Sequence, residues 1–99
     1  MFSVFNKPEA ENDIIKAVEW YESRQLKLGI RFLEHIEKLY YSLERNPHIF
    51  PEKYNKVRQA PLKYFPYVIL YKIEDKKVFV LAVFNCRQNP KKKKYRLRK

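Results

Sequence analysis

Glycine is nearly absent from this chain, which has Gly29 alone among 99 residues, and cysteine is equally scarce, with only Cys86. A single thiol cannot close an internal disulfide, so an apolar core must hold the fold. No run of apolar residues approaches the length of a membrane-spanning helix, so no membrane partner is expected. Met1 to Ala10 contains Pro8 and Glu9 and lacks the basic head and apolar stretch of a secretory leader, which makes a reducing, cytoplasmic setting the expectation. Metal ligands are sparse too. His35 and His48 are isolated, and with one cysteine there is no ligand set, so neither a metal nor another cofactor is expected. The last shortage is of negative charge in the second half. Residues 53 to 99 hold 15 Lys/Arg against 2 Asp/Glu, a net of +13, whereas residues 1 to 52 hold 7 against 9, a net of −2, so the whole +11 comes from the second half. A polyanion or an acidic protein is its natural partner.

What is present points to a folded chain: 45% hydrophobic and 16% aromatic residues, with no low-complexity stretch except the lysine run near the C-terminus. The length suits one domain, residues 1–99, with a basic tail over 88–99. Phe2 to Phe5 reads as a short edge strand, and Pro8 with acids around it as a helix entry. A first helix is expected to run to about Arg24, with Ala10, Ile14, Ala17 and Tyr21 at helical spacing. A second begins near Gly29, presents Phe32, Ile36 and Leu43 on one face, and stops at Asn46-Pro47. Beyond Pro51 the period changes to two. Lys56 to Ala60, Tyr67 to Ile73 and Val78 to Phe84 read as strands, the last two joined by a polar turn at Glu74 to Lys77. The expected fold is therefore α+β: a short N-terminal strand, then an antiparallel two-helix hairpin packed on a twisted, mainly antiparallel sheet of about four strands.

One ordered set of residues carries a family resemblance. Asp13-Ile14, Ala17, Trp20-Tyr21-Glu22, Leu28-Gly29, Phe32, Ile36-Glu37, Leu43, Asn46-Pro47, Phe50-Pro51, Arg58, Phe65-Pro66-Tyr67, Tyr71 and Val80 to Val83 together resemble the RelE/ParE superfamily of toxins from type II toxin–antitoxin systems, which includes plasmid stabilisation proteins. The resemblance spans about nine-tenths of the chain. It implies the same fold, a growth-inhibiting toxin, and a cognate antitoxin whose extended segment wraps it. The assembly it suggests is a homodimer or a heterotetramer with the antitoxin.

The superfamily divides into enzymes and inhibitors. RelE-like members cut mRNA at the ribosome, whereas ParE-like members poison DNA gyrase. Cleavage through the 2′-hydroxyl needs a proton acceptor, a proton donor and positive charge for the phosphate. The resemblance makes Arg58, Lys63, Arg87 and Tyr95 the candidate catalytic residues. Two departures weigh against that chemistry: Val68 stands where RelE-like nucleases carry an arginine, and Asn85 where several relatives carry histidine, which can move protons as asparagine cannot. Gyrase inhibition, ribosome-dependent cleavage by a degenerate site, and an inactive relic that only binds antitoxin all stay open at this stage.

Plain structural roles compete for the same residues. Arg58 can pair with an acid of the helices; Tyr67 and Tyr71 share one strand face and read as core; Trp20 and Tyr21 read as helix packing residues. Arg87, Lys91, Lys92, Lys93, Lys94, Arg96 and Arg98 form the candidate nucleic-acid contact, since clustered cations bind phosphate backbones without reading bases.

Overall fold

Pro8 decides where the first helix starts. Its ring presets a helical φ, and the N–H it lacks is one that no helical carbonyl reaches, so α1 (Pro8–Arg24) begins there with Glu9 and Glu11 in its first turn. In the computed structural model, which describes residues 1–87, β1 (Ser3–Asn6) precedes α1, and α2 (Leu28–Arg45) returns beside it. The buried stripes are the expected ones: Ala10, Ile14, Ala17 and Tyr21 on α1, and Gly29, Phe32, Ile36 and Leu43 on α2.

The corner between the helices explains two of the sequence motifs. Lys27, at φ 70°, turns the chain in the left-handed region. No side chain of the turn itself caps α2; instead Glu22 reaches from α1, accepting from the Lys27 N–H at 2.8 Å and the Gly29 N–H at 3.0 Å. Those are amides that a helix start leaves without partners. Gly29 is glycine for room: a Cβ there would stand 2.5 Å from the Val18 carbonyl oxygen.

The second half supplies β2 (Glu52–Tyr54), β3 (Val57–Pro61), β4 (Tyr67–Glu74) and β5 (Lys77–Asn85), and the sheet order is β1-β5-β4-β3-β2. This is five strands, against the expected four or so. The extra strand, β2, has three residues and two of them are exposed, so no apolar alternation announces it. All pairings are antiparallel except β1 with β5, which is parallel. The β4–β5 hairpin turns at Asp75, φ 55°, and its register slips by one beyond Leu70, so that Leu81 has no opposite number. Both faces of these strands are buried. Ile69, Tyr71, Val78, Val80 and Val83 join the helices in one core, while Val57, Val68, Leu70, Ala82 and Phe84 form a second cluster on the other face.

A 3-10 turn, Pro47–Ile49, follows α2 and is tied to the sheet. The buried Tyr71 hydroxyl donates to the Pro47 carbonyl at 2.6 Å. No helix among the described residues is long and apolar enough to cross a membrane.

Candidate functional site

Where α1 passes the start of β4 and the end of β5, it leaves an open cleft of ≈ 390 Å³ lined by Asp13, Lys16, Ala17, Trp20, Tyr67, Val83 and Asn85. β1 accompanies β5 only as far as Val80. Past that point the Asp13 carboxylate takes the strand's place and accepts from the Val83 N–H at 2.9 Å. Helix spacing puts Lys16 and Arg24 four residues either side of Trp20, on one face of α1. The Arg24 guanidinium lies 4.7 Å from the Trp20 ring centroid. Trp20 is 51% exposed, which corrects its reading as a packing residue; Tyr21, whose ring meets it edge-on at 5.0 Å, is the one that enters the core.

Through Tyr67 the cleft adjoins an aromatic cluster. Tyr21, Phe32, Phe65 and Tyr67 meet at centroid distances between 5.0 and 6.2 Å, which accounts for the Phe65-Pro66-Tyr67 motif as a cover on the helix hairpin. Burial raises the Tyr67 pKa, the hydrogen bond from Asn85 opposes the rise, and the Asp13 charge adds to it. Tyr21 is also raised, by burial and then by Tyr67, with the charge of Arg87 pulling the other way. Both phenols therefore keep their protons at neutral pH and cannot serve as bases there.

The candidate catalytic residues do not share this cleft. Arg58 on β3 donates from Nη1 to the carbonyls of Phe50, at 2.6 Å, and His48, at 3.2 Å, while its Nη2 lies 3.6 Å from Glu52. Its acid thus comes from β2, not from the helices. Lys63 lies in the β3–β4 loop, on a second cleft of ≈ 470 Å³ with His35, Lys38, Leu39, Ser42 and Tyr64. Beside it Tyr64 is held at φ 67° and 87% exposed, with its ring 5.2 Å from that of His35. Arg87 follows β5, with its side chain exposed and its N–H donating to Asn85 Oδ1 at 2.8 Å. Tyr95 and the tail cations Lys91, Lys92, Lys93, Lys94, Arg96 and Arg98 lie outside the described residues.

Among the described residues no group of His, Cys, Asp and Glu is placed to hold a metal, and Cys86 is an exposed free thiol. Sequence reasoning missed Lys16 as a member of the cleft and Arg24 as the cation on the Trp20 ring. Their signal is legible all the same, as cations at i−4 and i+4 of the sole tryptophan.

The sequence matches the family described as "ParE toxin of type II toxin-antitoxin system, parDE" over residues 4–90. No curated protein sequence matches the chain. Among solved structures, the fold is similar to one titled "Chromosomal ParDE TA system from P. aeruginosa", with a TM-score of 0.62 and 15% identity over 86% of this chain and 96% of that one. With the family pattern running through both helices and all five strands, the chain belongs to the ParE toxin family of type II toxin–antitoxin systems.

Proposed function

We propose that this chain is a toxin that arrests growth by binding DNA gyrase and is kept inactive by a cognate antitoxin. The observation that carries a binding mechanism over an enzymatic one is the engagement of Arg58, whose guanidinium is taken up by two backbone carbonyls and Glu52 and so is withdrawn from any phosphate. Val68, where the resemblance to nucleases calls for arginine, is 6% exposed within the second apolar cluster. Asn85 hydrogen-bonds Tyr67 and accepts from the Arg87 N–H, and its amide does not ionise near neutral pH, so it cannot shuttle a proton. What stays available is cationic surface, which suits docking better than proton transfer. The same surface suits capture by an acidic antitoxin segment, whose approach it would accelerate.

The test is gyrase supercoiling of relaxed plasmid with the purified chain. Loss of supercoiling with rising toxin, together with intact mRNA in translating ribosomes by primer extension, is the expected result. Ribosome-dependent cleavage that vanishes in Arg87→Ala would replace this reading with the ribonuclease. Normal growth on induction of soluble, folded protein would instead indicate a relic that binds antitoxin alone.

A further inference from the structure

The only tryptophan of the chain stands at the mouth of a cleft, between cations, with about half of its surface in solvent. From this we infer that the Trp20 cleft takes an unpaired nucleobase of a single-stranded nucleic acid, with the flanking phosphates on Lys16, Arg24 and Arg87. The inference goes beyond the proposed gyrase inhibition and stands whichever target the toxin has.

Three observations support it together. The ring of Trp20 is accessible and already bears a stacked guanidinium, 4.7 Å from its centroid, so it offers a π-surface in a cationic setting. The cleft, at ≈ 390 Å³, falls in the ~300–1,000 Å³ range of small-ligand sites, and its far wall carries Tyr67 and the Asn85 amide. Arg87, exposed just past β5 with its N–H on Asn85 of the cleft wall, adds a further cation beside the site. Stacking platforms inside a basic groove bind single strands with little regard for sequence, because every base has a π-face. An acidic peptide fits less well. The Asp13 carboxylate forms part of the cleft wall, where it would repel peptide carboxylates, whereas a neutral base can enter and leave its phosphates on the rim.

Because Trp20 is the sole tryptophan, its fluorescence reports the site directly. Titration of the full chain with oligodeoxythymidylate and with oligouridylate of equal length should give saturable quenching, and the one acting at lower concentration identifies DNA or RNA as the preferred source. Anisotropy of the same labelled oligonucleotides should show Trp20→Leu weakening binding about 5- to 150-fold, the equivalent of ~1–3 kcal/mol of stacking, with Trp20→Phe within a few-fold of the original. Lys16→Ala should lower the salt dependence by about one phosphate contact. Circular dichroism confirms folding of each variant, and gyrase supercoiling is measured on the same preparations, so loss of one property does not stand for loss of the other. Unchanged affinity in Trp20→Leu would assign the binding to the basic tail and overturn the inference. So would the absence of quenching, or equal quenching by polyglutamate.

Discussion

Arg58 occupies the position where a resemblance to nucleases suggests catalysis, yet both Nη atoms of its guanidinium meet partners of its own chain. The carbonyls of His48 and Phe50 belong to the turn after α2, and the buried hydroxyl of Tyr71, directly opposite Arg58 across the β3–β4 pair, holds the Pro47 carbonyl of the same turn. Arg58 and Tyr71 thus latch the end of the helix hairpin to the sheet. A charged donor to a partly buried carbonyl, here that of Phe50, is worth more than a neutral one, and removing it takes that bond away. Arg58→Ala should therefore destabilise the fold by about 2–3 kcal/mol in urea denaturation. Arg58→Lys should recover only part of this, because an ammonium cannot reproduce the fork. Growth arrest per folded molecule should stay unchanged in both, and a specific loss of toxicity at full stability would return Arg58 to a functional role.

At the scale of elements, the α1–α2 corner joins a cap to a close approach. Glu22→Ala should cost about 1 kcal/mol by freeing two amides at the start of α2, a loss comparable to that of an N-cap. Gly29→Ala should cost about 1–3 kcal/mol, since its Cβ meets backbone, the Val18 carbonyl, which cannot rotate away. The double variant should cost less than the sum, because once the methyl added by Gly29→Ala has pushed the helices apart Glu22 no longer reaches its amides; thermal unfolding of all three tests this. These elements also mark how far the sequence can be read. The helices and the β4–β5 hairpin are legible because periods of 3.6 and 2 repeat long enough to be seen, and Pro8 and Asn46-Pro47 fix the helix ends. β2 is not, since three mostly exposed residues carry no period and are held by register with β3. The cleft is half legible: Trp20 and Tyr21 are adjacent, but which of the two rings turns inward depends on where the sheet lies against α1. The role of Asp13 is hidden because it bonds to backbone 70 residues away, and that of Arg58 because its partners are carbonyls of the turn after α2.

For the molecule as a whole, four tyrosines couple stability to alkaline pH. Tyr40 is raised above 10.0 by burial and then by the charge of Glu11; Tyr71 is raised to about 12 by burial, with Arg58 opposing; Tyr21 and Tyr67 are raised as well. They tie both helices and the sheet into one titration. Between the unfolded value near 10 and the folded values above it, the unfolded chain has released protons that the folded chain retains, so the unfolded state binds fewer protons and stability falls with rising pH. For Tyr71 the contribution is intact below about pH 10 and is lost through about pH 12. A tenfold difference in proton affinity between the two states is worth about 1.4 kcal/mol, so Tyr71, its shift discounted for solvent screening, should contribute on the order of 1–2 kcal/mol across that window. The urea midpoint should accordingly decline most steeply from about pH 10 to about pH 12. Tyr71→Phe should start lower at about pH 8, having lost its bond to Pro47, but decline less steeply, because phenylalanine has no proton to release. Parallel declines in the two proteins would show that the phenol of Tyr71 does not govern the alkaline limit.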